Sequence, residues 1–258
     1  MTARLAIRYG PPAAAFVAFV LGWEAIVRLA HIPPYVLPAP SLVAMTLVTD
    51  RAILFASLWV TLKTTFAALV LAIGGGSLLA ILFSQWKWLE RALLPFAVIL
   101  QVTPIIAIAP LLLIYFSTGQ AVLACAFLVA FFPILANCAL GLASTDRNLI
   151  DLFALYDASR WQTLVLLKLP AALPYFFAGL RIGGGLALIG AIVAELAAGA
   201  SGQETGLAFR IVEAGYRLDI PRMFAALALI SLTGIAIYFS LSALSRLALR
   251  HWHESADV

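Results

Sequence analysis

Charge is what this sequence has least of. Lys, Arg, Asp and Glu make up 11% of its 258 residues, while hydrophobic residues make up 64%; a soluble globular domain carries about 25% charged residues. So few polar groups cannot cover a water-facing surface, which excludes an ordinary soluble domain. The formal net charge is +4 and no run of Lys or Arg occurs, so a nucleic-acid phosphate backbone has no track to follow. Histidine is almost missing. His31, His251 and His253 lie at or beyond the ends of apolar runs, and none is spaced with Cys, Asp or Glu as metal ligands are. No nucleophile–base arrangement stands out. The two cysteines, Cys125 and Cys138, share one apolar stretch. On a helix they stand about 20 Å apart, whereas a disulfide needs Cα atoms within about 7 Å, so they read as small apolar fillers. No low-complexity segment and no internal repeat is present.

What is present in abundance is long apolar sequence, with a mean hydropathy of +1.06. A membrane helix needs about 20 mostly apolar residues, and the chain offers six such runs: about 11–30, 56–84, 90–116, 120–142, 172–198 and 222–249. Arg4 and Arg8 before the first run resemble a signal peptide, but the run continues through Trp23, Ile26 and Leu29 without a clear small-residue cleavage site. It is expected to stay as the first span, within an N-terminal region of residues 1–55. The core would occupy 56–249 and a tail 250–258. Pro95, Pro104 and Pro110 all fall in the third run, which should be kinked or locally unwound. The glycine triplets 74–76 and 183–185 lack the Lys of a phosphate loop and read as helix-packing sites; no G-x-x-x-x-G-K-[ST] motif occurs.

Placing the N-terminus in the cytoplasm puts ten Lys/Arg residues inside and six outside, the sign expected of cytoplasmic loops. Both termini would then be cytoplasmic. Glu24 and Arg28 are spaced to pair. Lys63 and Arg181 can snorkel. Glu195, deep in the fifth run, is open to two readings: a pathway residue, or an acid that pairs with a cation or reaches interfacial water. Gln101, Thr103 and Asn137 could line a path or bond across helices. The outer segment from Ser201 to Gly206, with Arg210, Glu213, Arg217, Asp219 and Arg222 after it, suits either a docking face or a plain solvated loop.

The polar stretch 143–171 is the most informative. Leu149, Leu152, Phe153 and Tyr156 make one apolar helical face, with Asn148 as the expected cap and Asp151 at its third position. Ser159-Arg160-Trp161-Gln162 fits a second capping box, followed by Leu164 and Val165, with an expected stop at Leu169-Pro170. Two amphipathic helices meeting near Asp157-Ala158-Ser159 would be either interfacial connectors or a docking element.

Here the residues resemble a family. ABC importer permeases share the cytoplasmic pattern E-A-A-x3-G-x9-I-x-L-P. Asp151, Leu152, Phe153, Asp157, Leu167, Leu169 and Pro170 fill its frame without a gap, though Asp stands for Glu, Leu-Phe for Ala-Ala and Asp for Gly. Asp keeps an anion at a helix N-terminus and tolerates left-handed backbone better than most residues. Leu37 to Ser41, Thr103-Pro104, the run from Pro170 to Arg181 and Ala194-Glu195 extend the likeness over most of the chain. The text from Tyr156 to Gln162 resembles the nitrate, sulfonate, taurine and thiamine-pyrimidine-precursor branch.

The resemblance implies an all-α, polytopic, six-span type I importer permease in a bacterial-type inner membrane. It implies a second permease copy, two ATP-binding subunits that hold the ATP, and an extracytoplasmic binding protein. This chain would carry no cofactor and no catalysis of its own. Asp151, Leu152, Phe153, Asp157, Ala158, Ser159, Arg160 and Pro170 would contact or shape the ATPase contact. The cargo implied is a thiamine pyrimidine precursor or related N-heterocycle, with a sulfonate, taurine or nitrate as the alternative. A secondary transporter without an ATPase, or a membrane-embedded enzyme or scaffold, are the other classes to weigh.

Overall fold

The computed structural model describes residues 2–199 and 205–250, and among them only helices form. They are α1 (Thr2–Leu29), α2 (Pro40–Thr49), α3 (Arg51–Gln85), α4 (Lys87–Val102), α5 (Ile105–Tyr115), α6 (Thr118–Ala143), α7 (Arg147–Leu155), α8 (Arg160–Thr163), α9 (Leu169–Ala198), α10 (Leu207–Tyr216) and α11 (Ile220–Leu249). Five segments are long and apolar enough to cross a bilayer: Gly10–Leu29, α3, α6, Arg160–Ala198 and α11. The pair α4–α5 makes a sixth crossing only if taken together, because it bends by 100°.

That bend sits at Thr103-Pro104 and has a local cause. The residue before a proline is driven out of the helical region, and Thr103 is extended (φ −72°, ψ 124°). Pro104 brings no N–H to continue the ladder. Thr103 Oγ1 instead donates to the Ile99 carbonyl at 2.7 Å, alongside its own backbone N–H at 3.2 Å. Pro95 and Pro110 lie inside α4 and α5 without a break. The expected distortion of the third run is thus concentrated at one of its three prolines.

Three helices form the nucleus. α3 and α6 run parallel, and α9 runs antiparallel to both; Ala72, Phe83, Ile134, Leu142, Leu180 and Ala187 meet in its central cluster. A second cluster joins Ala68 and Cys125 to Ala109, Ala191 and Ala194. Both cysteines are free and buried. In lipid there is little hydrophobic drive between helices, so close packing of small residues must hold them. α6 and α9 show this along their length. A Cβ added at Gly141 would come within 2.8 Å of Tyr175 Cβ, one at Gly179 within 2.8 Å of Asn137 Cβ, and one at Gly190 within 2.9 Å of Ala126 Cα.

The expectation for the two triplets therefore splits by face. Gly76, Gly183 and Gly184 pack closely, Gly75 touches Phe131 in ordinary contact, and Gly74 and Gly185 have nothing within 4 Å. The outer faces of the spans stay apolar: Phe19 is 67% exposed and Phe239 65%, as hydrocarbon contact requires.

Three sequence expectations need correction. α3 begins at Arg51 rather than about 56, and within the N-terminal region residues 40–49 form a helix of their own, α2. The cap of α7 is Asp146, whose carboxylate accepts the Asn148 N–H at 2.8 Å; Asn148 and Asp151 lie inside the helix. Asp146 wins because its side chain reaches the second helical N–H, the usual capping geometry. On α7 only Ile150 and Phe153 are half-buried against the body, while Leu149, Leu152, Ala154 and, just past its end, Tyr156 are exposed. Finally, Leu169-Pro170 does not stop the second helix. Leu164–Lys168 form a π turn in which the Leu169 N–H reaches the Leu164 carbonyl, and the widened turn carries the chain into α9 with Pro170 in its first turn, where a missing N–H is tolerated.

Replacing Gly190 by Val should force α6 and α9 apart and cost about 1–3 kcal/mol, seen as a lower thermal midpoint of the detergent-purified protein. Gly74→Val should leave that midpoint unchanged.

Candidate functional site

Three features of the structure bear on function: an exposed helical loop at one end, a cleft at the broken span, and a buried carboxylate near the other end.

The loop is α7, a tight turn, α8 and the π turn. α7 closes through the Ala158 N–H, which reaches the Phe153 carbonyl at 3.0 Å, and the Asp157 N–H, which reaches Ala154 at 3.1 Å. This closure needs a left-handed residue, and Asp157 supplies it at φ +52°. α8 then starts with the expected capping box: Gln162 N–H donates to Ser159 Oγ at 3.2 Å, and Ser159 N–H donates to Gln162 Oε1 at 2.7 Å. Leu164 is buried and pins the element to the core. The rest faces outward. Leu155 is 82% exposed, Tyr156 81% and Trp161 69%. Asp151, Leu152, Asp157, Ser159 and Arg160 are exposed as well, while Phe153, Ala158 and Pro170 are half-buried.

The cleft has a volume of about 340 Å³. Gln101 and Thr103, at the break between α4 and α5, line it together with Leu128 and Phe132 of α6 and Leu186 of α9. Asn137 does not belong to its wall. Its amide donates to the Pro133 carbonyl at 2.8 Å, and the residue packs against Gly179.

Glu195 is elsewhere again. It is buried, accepts the Thr61 hydroxyl at 2.8 Å and accepts the Ala208 N–H at 3.0 Å. Thr61 Oγ1 in turn accepts the Leu207 N–H at 2.8 Å. The acid of α9 and the hydroxyl of α3 together cap α10, where an anion is favoured by the helix dipole. Gly206 is needed because any Cβ there would collide with the Glu195 carboxylate. Arg210 Nε donates to Ser57 Oγ at 2.8 Å, binding α10 to α3 a second time. Neither sequence reading of Glu195 anticipated a backbone partner. Ser57 and Thr61 were missed, although two hydroxyls one helical turn apart in an apolar run were the available signal; both are buried.

Charges cluster at this end. Glu213 pairs with Arg210 and Arg217, and Arg222 pairs with Asp50 and Asp219. The Arg210 hydrogen bond, with the nearby arginine charges, holds the Glu213 carboxyl below the usual carboxylate range despite some desolvation. A depressed pKa contributes stability at neutral pH that is lost only as the pH falls through it. Glu24 pairs with Arg28 as expected and also accepts the Ser41 N–H at 2.9 Å, capping α2. Residues 201–204, within the outer segment singled out in the sequence, lie outside the described residues, as do His251 and His253.

A helical subunit with these spans, one of them broken, and an exposed helix–turn–helix between two crossings has the form of a transporter's membrane component. The chain belongs to the family of binding-protein-dependent transport system inner membrane components, whose pattern matches residues 72–251. It is a multi-pass inner membrane protein and an ABC importer permease, a transport component that is not itself catalytic. Permeases of this family work with ATP-binding and substrate-binding components. It is 35% identical to a probable ABC transporter permease of Haemophilus influenzae over 85% of this chain and 88% of that one. It is 35% identical to the riboflavin transport system permease RibX of Chloroflexus aurantiacus, over 90% and 86% of the two chains. It is 33% identical to the formylaminopyrimidine transport permease ThiX of Halalkalibacterium halodurans, over 92% and 94%. A solved amino acid ABC transporter crystallised with histidines shares the fold, with a TM-score of 0.65 over 78% of this chain and 97% of that one, at 15% identity. The reading as a secondary transporter falls with this membership.

Thr61→Val removes both the donor to Glu195 and the acceptor of the Leu207 N–H. It should cost about 1–2 kcal/mol and speed hydrogen exchange of the α10 amides, while Thr49→Val, at an exposed hydroxyl, should not.

Proposed function

We propose that this chain forms, as a homodimer, the translocation path of an ATP-driven importer whose ATP-binding subunits grip the loop from α7 to α8. The observation that carries the reading is the exposure of Leu155, Tyr156 and Trp161 on a loop that is otherwise well capped and anchored by Leu164. Large apolar side chains held out on a rigid element suit a protein partner better than solvent. Asp151, Leu152, Phe153, Asp157, Ala158, Ser159, Arg160 and Pro170 contact or shape that interface. ATP stays on the partner, and this chain uses no cofactor.

With the N-terminus in the cytoplasm, the loop end is inside and the end bearing α2, α10 and the Glu213 cluster is outside. The outer end receives a substrate-loaded binding protein. Closure of the ATP-binding subunits rocks the helices, and the cleft beside Gln101 and Thr103 contributes to the path. Glu195, both of whose oxygens are engaged, and Asn137, whose amide bonds its own helix and whose Cβ packs against Gly179, act by holding helices in place.

The cargo is a small nitrogen heterocycle. The relatives at 33–35% identity with a named substrate carry riboflavin and formylaminopyrimidine in their names, and both compounds contain a pyrimidine ring. A sulfonate, taurine or nitrate is the alternative. Calorimetry of the cognate binding protein against these ligands separates the two: tight binding of a pyrimidine is the expected result, and tight binding of taurine alone would refute it.

Two measurements test the docking. Asp151→Lys should lower ATP-dependent uptake by about tenfold or more by placing a like or unpaired charge in the interface. Asp157→Gly should retain both uptake and co-purification of the ATP-binding subunit, because glycine meets the left-handed turn without strain, whereas Asp157→Val should lose both.

A further inference from the structure

Two adjoining spaces lie at the loop end, where the end of α3 meets the loop. One, of about 330 Å³, is lined by Ser84 and Gln85 of α3, by Ile150 and Ala154 of α7, and by Arg160 and Lys168. No carboxylate lines it. The Ser84 and Thr163 hydroxyls there already donate to backbone carbonyls, at 2.9 and 3.1 Å. The Gln85 amide donates to Ser84 Oγ at 3.4 Å, so the principal donors left are the Lys168 ammonium and the Arg160 guanidinium.

Neither cation has an acidic partner among the described residues. The contrast is with Lys87, which is neutralised by Glu90 at 2.7 Å in the neighbouring space. That second space, of about 230 Å³, shares Ser84, Ile150 and Lys168 with the first; Ala80, Phe83, Ala139, Leu142 and Ala143 form its apolar wall, and the Lys87–Glu90 pair lines it as well. A cationic pocket thus adjoins a mostly apolar one whose own ion pair is neutral overall, at the end of the molecule richest in Lys and Arg.

We propose that this double pocket binds an anionic phospholipid, its phosphate held by Lys168 and Arg160 and the root of its acyl chain lying against Phe83 and Leu142. Basic pockets between membrane helices at the positively charged end suit such headgroups. A free phosphate would satisfy the cations but leave the apolar half without an occupant, and a zwitterionic lipid would bring its own cation into a pocket already carrying two. Because the walls come from both α3 and the loop, a bound lipid links the loop to the nucleus through contacts the protein alone does not make.

The test is native mass spectrometry of the full-length chain in detergent, titrated in separate arms with phosphatidylglycerol, phosphatidylcholine and inorganic phosphate. The expected result is one retained phosphatidylglycerol, bound about fivefold or more tighter than phosphatidylcholine. Lys168→Gln should weaken it by about fivefold, Lys168→Arg should retain it, and Arg246→Gln, a charge removed from α11 outside the pocket, should leave it unchanged. Ala143→Phe, which fills the apolar space, should weaken the lipid too. Equal retention of both lipids, or phosphatidylglycerol retention indifferent to Lys168→Gln and Ala143→Phe, overturns the proposal. Displacement of the lipid by inorganic phosphate at comparable concentration overturns it in favour of a phosphate site. Correct folding of each variant is read from its unchanged monodispersity and thermal midpoint, so a loss of lipid cannot be mistaken for a loss of structure.

Discussion

The close approach of α6 and α9 is the contact on which the rest of this protein is assembled. Ala172, Gly179, Gly183 and Gly190 of α9 meet Gly141, Asn137, Ala130 and Ala126 of α6 at backbone distance. A membrane offers these two helices no reward for hiding apolar surface, so dispersion between tightly fitted small residues has to supply the attraction. Once they are locked, α3 can lie along their groove. Phe132, Pro133 and Leu186 then form a fixed wall for the cleft opposite the broken span. The loop at the end of α6 also hangs from a rigid support.

A second constraint is that backbone groups near lipid must be satisfied. Two short helices lie near the ends of the spans, and each meets this requirement with an acid from a neighbouring span. Glu24 of α1 takes the Ser41 N–H at the start of α2, and Glu195 of α9, with Thr61, takes those at the start of α10. Neither α2 nor α10 has a capping side chain of its own: Ala39 and Gly206 occupy those positions. A charge that looks anomalous inside an apolar run is here the missing half of a helix end distant in sequence.

How much could be read beforehand depended on how local each cause was. The apolar runs, the distortion among Pro95, Pro104 and Pro110, the capping box at Ser159 and the left-handed turn at Asp157 are consequences of a few adjacent residues, and all were legible. The start of α7 was misplaced because Asp146 and Asn148 are both good caps, and pattern alone does not rank them. Pattern marked Leu149, Leu152, Phe153 and Tyr156 as one apolar face without saying what covers it; Leu149, Leu152 and Tyr156 stay exposed, as suits a surface kept for a partner. Pro170 was misread as a stop because a π turn leaves no signature in composition.

What the amino-acid sequence determined by itself was the solvent and the class of structure. With 11% charged residues the surface must face hydrocarbon, where only helices or a closed barrel satisfy every backbone group, and continuous apolar runs of about 20 residues choose helices. What only the tertiary structure decided was which polar residues meet. Glu195 and Thr61 are 134 positions apart, and Ser84 of α3 and Lys168 of the π turn line one pocket from distant parts of the chain. Such pairings follow from the axial register of α3, α6 and α9. That register is set by the summed fit of many small side chains, a quantity no local pattern encodes.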